Sequence, residues 1–129
     1  MNRKEKIKYI VFDLGEVLLT GLKLRKLGYK LAILSNHAKE FIDYCEEKFD
    51  FHKLFDARVY SYEIGISKPD PSSFRAVLKK LDTTSDTCLF IDDSPHNIKI
   101  AKELGFQTIL FADSGELRNE LLKHLPDFE

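Results

Sequence analysis

The chain has no tryptophan, one methionine, two cysteines and four prolines among 129 residues. Cys45 and Cys88 are too few for a disulfide framework, so a hydrophobic core must hold the fold, and a reducing compartment, the cytoplasm, is the expected setting. An excess of one charge is also missing. The 20 Lys and Arg face 21 Asp and Glu, a formal net charge of -1, which leaves no basic surplus for a nucleic acid. No long apolar run occurs: the basic start Asn2 to Lys6 leads only into Ile7 to Leu14, broken by Lys8 and Asp13, so neither a secretory leader nor a membrane span is expected. No His/Cys cluster has zinc spacing and no GxxxxGK loop is present, which disfavours zinc hydrolysis and P-loop nucleotide binding. What remains is 43% hydrophobic and 32% charged, the balance of a globular domain, and residues 1–129 are expected to form a single one.

Short apolar runs at Tyr9 to Leu14, Leu31 to Leu34, Cys88 to Ile91 and Thr108 to Phe111, with a weaker one at Ala57 to Tyr60, have the length of buried strands. Between them the period changes. Phe41, Ile42, Cys45 and Phe49 form one apolar stripe of helical spacing, and Phe74, Val77, Leu78 and Leu81 another. Asp70 before Pro71 is an N-cap followed by a proline at the first helical position, and Gly105 closes a helix that opens near Pro95. A last helix is expected from Gly115 to Leu125, with Leu117, Leu121 and Leu125 facing inward. Strands alternating with helices predict an α/β, three-layer sandwich around a parallel sheet. Only Leu18 to Lys30 separate the first two strands, room for one short helix containing Leu22, Leu24 and Leu27.

Ligands of an open parallel sheet sit beyond the carboxyl ends of its strands. Three strands end in polar residues: Asp13 after Val11-Phe12, Ser35-Asn36 after Ile33-Leu34, and Asp92-Asp93 after Phe90-Ile91. One such aspartate is ordinarily a turn or cap residue, but three strand ends on one edge imply a site. Adjacent carboxylates at a buried strand end repel unless a cation lies among them and Asp13, and hard oxygen ligands suit Mg²⁺. The competing reading is that Asp93 and Ser94 cap the helix at Pro95. Lys68, in Gly65-Ile66-Ser67-Lys68-Pro69-Asp70, is able to aim a point charge at a phosphate. As a loop lysine without core contacts, its removal is expected to leave the fold intact. His37 follows Asn36 and stands near the same edge, while His52, His96 and His124 read as surface or capping residues.

Phe12-Asp13-Leu14-Gly15-Glu16-Val17-Leu18, Leu34-Ser35-Asn36, Ser67-Lys68-Pro69-Asp70-Pro71 and Phe90-Ile91-Asp92-Asp93 resemble, in order, the four motifs of the haloacid dehalogenase-like hydrolases. The stretch from Gly65 to Leu110 is similar to the phosphatase-type branch that includes the amino-terminal domain of soluble epoxide hydrolases. The resemblance implies a Rossmann-like sheet of order 5-4-1-2-3 and a phosphatase working through an aspartyl-phosphate. In it Asp13 is the nucleophile, Ser35 and the Asn36 backbone bind a phosphoryl oxygen, and Lys68 neutralises charge. Mg²⁺ is held by Asp13, the Gly15 carbonyl, Asp92 and Asp93. Phosphorylated small molecules or phosphoproteins are the implied substrates.

Two departures from the family pattern stand out. Family phosphatases commonly have an acid two residues after the nucleophile, where this chain has Gly15; such help is worth about 10²–10⁴-fold, so slow turnover or reliance on good leaving groups is expected. Glu16 is a possible substitute, though a solvated or helix-start role suits it better. The helical cap inserted between the first two motifs in this branch is missing, whether the chain is naturally capless or the cap has been removed. Two other functions stay open: a haloacid dehalogenase, which needs no acid at Gly15 but also no metal, and a catalytically weak scaffold.

Overall fold

The computed structural model describes residues 6–13, 18–111 and 114–128. Five strands, β1 (Tyr9–Phe12), β2 (Lys30–Ser35), β3 (Ala57–Tyr60), β4 (Cys88–Asp92) and β5 (Gln107–Leu110), form one sheet. It is parallel throughout, with the order β3-β2-β1-β4-β5. Read from the other edge this is the 5-4-1-2-3 order implied above. Among the described residues five α-helices lie between the strands, α1 (Leu18–Lys26), α2 (Lys39–Phe49), α3 (Ser61–Ile64), α4 (Pro71–Leu81) and α5 (Pro95–Glu103), and α6 (Ser114–His124) follows β5.

The apolar runs are buried on both faces, so their period-2 alternation divides one hydrophobic layer from another. Ile10 and Phe12, Leu31 and Ile33, and Leu89 and Ile91 face a core shared with Leu24, Ile42, Leu117 and Leu121 from α1, α2 and α6. Val11, Ala32 and Leu34, with Cys88 and Phe90, face Phe74 and Val77 of α4 and Ile98 and Ala101 of α5. The result is the expected three-layer α/β, Rossmann-like sandwich. Phe74, Phe90 and Phe106 pack edge to face at centroid separations of 5.0, 5.8 and 6.3 Å. Phe90 is fully buried among them, so Phe90→Ala is expected to cost about 3–5 kcal/mol of stability in denaturant unfolding.

The caps follow the chain's own signals. The Asp70 carboxylate accepts from the Ser72 N–H with Pro71 at the helix start, and the Ser94 hydroxyl accepts from Asn97 ahead of Pro95. Gly105 has φ 98°, and a Cβ there would lie 2.7 Å from the Ser85 hydroxyl oxygen, so only glycine ends α5 at this point.

Two apolar patterns differ from expectation. Phe41 and Phe49 of the α2 stripe are exposed, and only Ile42 and Cys45 of it are buried. Phe41 lies about 100° round the helix from Ile42, and Phe49 is the last helical residue, before Asp50 in the left-handed conformation. In the first crossover Leu24 is buried, whereas Leu22 and Leu27 are exposed; residues two apart on a helix point to opposite sides, and Leu27 lies past the end of α1. Leu117, Leu121 and Leu125 are buried as expected.

Candidate active site

Register brings the strand ends together. Phe12 is paired with Ile33 of β2 on one side and Ile91 of β4 on the other, and the Asp13 N–H donates to the Ile91 carbonyl at 3.2 Å. The carboxyl group that follows β1 therefore stands beside the one that ends β4. Asp13, Asp92 and Asp93 each present an oxygen within 4.8 Å of the others.

Lys68 arrives from the loop before α4 and lies between two of these carboxylates. Its ammonium donates to Asp13 Oδ1 at 2.9 Å and to Asp92 Oδ2 at 3.0 Å, with its side chain 2% exposed. This corrects the expectation of a loop lysine without core contacts: the loop folds inward because the buried Asp92 carboxylate and the half-buried Asp13 beside it demand a cation. Its backbone is held as well. The Asn36 side chain accepts from the Lys68 N–H at 2.9 Å and donates to the Lys68 carbonyl at 3.1 Å.

Asp92 is fully buried and fully engaged. Its Oδ1 accepts from the Ser94 N–H at 3.0 Å, and its Oδ2 accepts from the Asn97 side chain at 3.1 Å as well as from Lys68. The cap at α5 is thus supplied by Ser94, while Asp93 stays exposed at the site rather than capping. Burial pushes the Asp13 carboxyl above the ordinary carboxylate range, against the opposing pull of Lys68 and, more weakly, His37. Three carboxylates face a single ammonium, which leaves two formal negative charges in excess. That donor set, all hard oxygen and short of positive charge, is one a divalent cation such as Mg²⁺ fits.

Asp13, Asn36, His37, Lys68, Asp92, Asp93, Ser94 and Asn97 line an open hollow of about 330 Å³. Larger hollows, of about 520 and 410 Å³, lie by the two edge strands and share none of these residues. Of the sequence-predicted residues, Asp13, Lys68, Asn36, Asp92 and Asp93 converge. Ser35 is fully buried, and its hydroxyl is turned to His37, 2.9 Å from Nδ1 and 3.1 Å from the His37 backbone nitrogen. Gly15 and Glu16 lie outside the described residues. Sequence reasoning missed Asn97 and the clamp made by the Asn36 side chain; for Asn97 the available signal was its place five residues after Asp92, in the first turn of a helix already marked by Ser94 and Pro95. The β1–β2 connection, residues 13–29, includes α1 and is too short for a separate domain over the strand ends.

The haloacid dehalogenase-like hydrolase family model matches residues 6–111. The chain belongs to this family. Among curated relatives, the D-ribitol-5-phosphate phosphatase of Bacteroides thetaiotaomicron is 36% identical over 87 residues, covering 67% of this chain and 37% of the relative. Drimenol cyclase drtB of Aspergillus calidoustus is 34% identical over 88 residues, 68% of this chain and 17% of the cyclase. Bifunctional epoxide hydrolase 2 of Rattus norvegicus is 28% identical over 111 residues, 83% and 20% of the two. The matches thus span 37% or less of the length of each of these three relatives. Among solved structures, a haloacid dehalogenase-family enzyme from Bacteroides thetaiotaomicron, in complex with magnesium and inorganic phosphate, superposes with TM-score 0.69 at 28% identity over 81% of this chain and 58% of that one. A protein from Corynebacterium glutamicum shares the fold, with TM-score 0.75 and 22% identity over 91% and 93% of the two chains. As a haloacid dehalogenase-like hydrolase the chain has Asp13, Ser35-Asn36 and Asp92-Asp93 at the ends of β1, β2 and β4, Lys68 in the loop before α4, and no cap domain inserted between the first two motifs. Among the described residues no helix is long and apolar enough to cross a membrane.

Proposed function

We propose that the chain is a phosphatase that uses Asp13 as nucleophile and requires Mg²⁺, with residues 1–129 working as one core unit. The observation that carries this reading is the buried Lys68 ammonium shared between Asp13 and Asp92, with Asp93 completing a three-carboxylate cluster. The phosphatase relative and the magnesium and phosphate of a similar structure support it.

Lys68 holds Asp13 through Oδ1, which fixes the carboxylate's orientation for in-line attack on phosphorus. The attack forms an aspartyl-phosphate as the bond from phosphorus to the ester oxygen breaks and its electron pair leaves with the alcohol oxygen. Water then cleaves the acyl-phosphate and regenerates the carboxylate. Asp13, the Gly15 carbonyl, Asp92 and Asp93 would hold Mg²⁺, which neutralises charge on the transferring group. Asn97 and Ser94 keep Asp92 oriented. Ser35 and the Asn36 backbone are the proposed phosphoryl contacts. With His37 in its Nδ1–H tautomer the Ser35 oxygen accepts from both His37 nitrogens, Nδ1 and the backbone N–H, and its own hydroxyl proton is left to donate to a phosphoryl oxygen.

Hydrolysis of p-nitrophenyl phosphate with Mg²⁺, and its loss in EDTA, is the direct test; activity unaffected by EDTA would overturn the metal assignment. Gly15 leaves the leaving group without the usual acid, so slow turnover is part of the proposal. Gly15→Asp is expected to raise the rate on alkyl phosphates by about tenfold or more while changing aryl esters less. Equal or lower rates on both classes would show that the proton comes from elsewhere.

A further inference from the structure

One wall of the hollow plays no part in the phosphoryl chemistry just described. His37 lines it beside Asp13, and its ring stacks on that of Phe41, with centroids 4.6 Å apart and planes 27° apart. The imidazole is held in that pose by the buried Ser35 hydroxyl, which meets both its Nδ1 and its backbone N–H. Phe41 is 44% exposed, and Tyr44, three residues along the same side of α2, is 55% exposed. A solvent-facing phenylalanine is ordinary by itself. One stacked on an imidazole that a buried hydroxyl fixes at the mouth of a charged hollow makes a flat, oriented aromatic surface.

A second observation concerns protons. Among the described residues the carboxylates lining the hollow are taken up by attack and by the cation cluster, the Lys68 ammonium is bonded to two of them, and His37, in the tautomer that donates its Nδ1–H to Ser35, has only a lone pair at Nε2. Gly15, two residues beyond Asp13, brings no acid. Such a site favours a leaving group that departs without a proton. Phenolic oxygens titrate near 10, so an aryloxide leaves far more readily unprotonated than an alkoxide does.

We propose that His37 and Phe41 form an aromatic shelf, and that the site takes aryl phosphomonoesters whose ring lies against it. This rests on the phosphatase reading above. Asp13 bonds to phosphorus, the bond from phosphorus to the aryl oxygen breaks, and its electron pair leaves as the aryloxide, which takes its proton from water. Hydrolysis of the aspartyl-phosphate then releases inorganic phosphate. A phosphotyrosyl side chain carries the same chemistry as a small aryl phosphate.

The test has two arms, each on wild type, Phe41→Ala and Phe41→Leu. In the first, kcat/KM is compared for phenyl phosphate, a phosphotyrosyl peptide and an alkyl phosphate in Mg²⁺. At least one aryl substrate is expected to be preferred over the alkyl ester, and which of the two is faster identifies the source. In the second, phenylphosphonate and cyclohexylphosphonate compete with substrate; neither has a leaving group, so only the ring is compared. Phenylphosphonate is expected to bind about three- to tenfold more tightly, the range of an aromatic stacking contact, and both variants are expected to erase that ratio. Phe41→Leu keeps an apolar side chain of similar bulk, so it carries the test if Phe41→Ala misfolds. Equal affinities for the two phosphonates in wild type, or faster turnover of the alkyl ester, would overturn the shelf and leave the phosphatase reading standing. Absence of Mg²⁺-dependent turnover on every ester would overturn both.

Discussion

Asp13→Asn is expected to lower phosphate ester hydrolysis by at least about a thousandfold while leaving the protein folded. The amide lacks the charge needed to attack phosphorus and has little affinity for a hard cation, so one substitution removes both functions assigned to this side chain. The fold has little reason to suffer. Asparagine has the shape of aspartate, its Oδ1 is able to accept from the Lys68 ammonium, and the change removes one of the negative charges crowded around Asp92. Thermal unfolding beside p-nitrophenyl phosphate hydrolysis separates the two effects. Hydrolysis at the wild-type rate in a correctly folded variant would exclude Asp13 as nucleophile and leave the scaffold or another chemistry in its place. Hydrolysis of a 2-haloacid without Mg²⁺, lost in the same variant, would instead establish the dehalogenase alternative.

For Lys68→Ala, activity and stability are expected to fall together. The ammonium is the shared partner of Asp13 and of the fully buried Asp92, and removing the counter-ion of a buried carboxylate costs about 3–5 kcal/mol because Asp92 stays buried without compensation. The cavity left by the aliphatic stem adds to that cost. If the carboxylates also hold Mg²⁺, the cation makes up part of the missing charge, so Mg²⁺ should raise the melting temperature of the variant more than that of the wild type. A variant with reduced turnover but wild-type stability would mean that Lys68 is not the buried counter-ion the geometry makes it. The Asn36 side chain holds the Lys68 backbone from both sides, so Asn36→Ala should reproduce a smaller version of the same pair of effects.

The alternation of short apolar runs with helical stripes was enough to establish the α/β class and the approximate strands, because burial on both faces leaves a signal that does not depend on distant partners. Asp13, Asp92 and Asp93 were legible for a similar reason. A parallel sheet exposes the carboxyl ends of its strands on one edge, so residues directly following β1 and β4 must meet there whatever the details. Caps such as Asp70-Pro71 and Ser94-Pro95 were equally readable, since their partners lie within one helical turn.

Contacts between segments far apart in the chain were another matter. Nothing local to the loop at residues 65–70 distinguishes Lys68 from a solvated lysine; its burial follows from the Asn36 clamp and from two carboxylates contributed by β1 and β4. The exposure of Phe41 and Phe49 was hidden likewise, because the apolar period of α2 states which residues are able to face a core but not how much sheet lies opposite. Ser35 was correctly placed at the end of β2, yet its hydroxyl partner, His37, depends on the path of the chain after the strand. The sequence determined which groups reach the common edge, through spacing and strand polarity. Only the tertiary structure decided which of them are buried, what charge each one faces, and that an imidazole stacked on Phe41 lines the hollow with Asp13, because side-chain environment is set by the packing of segments that are remote in the chain.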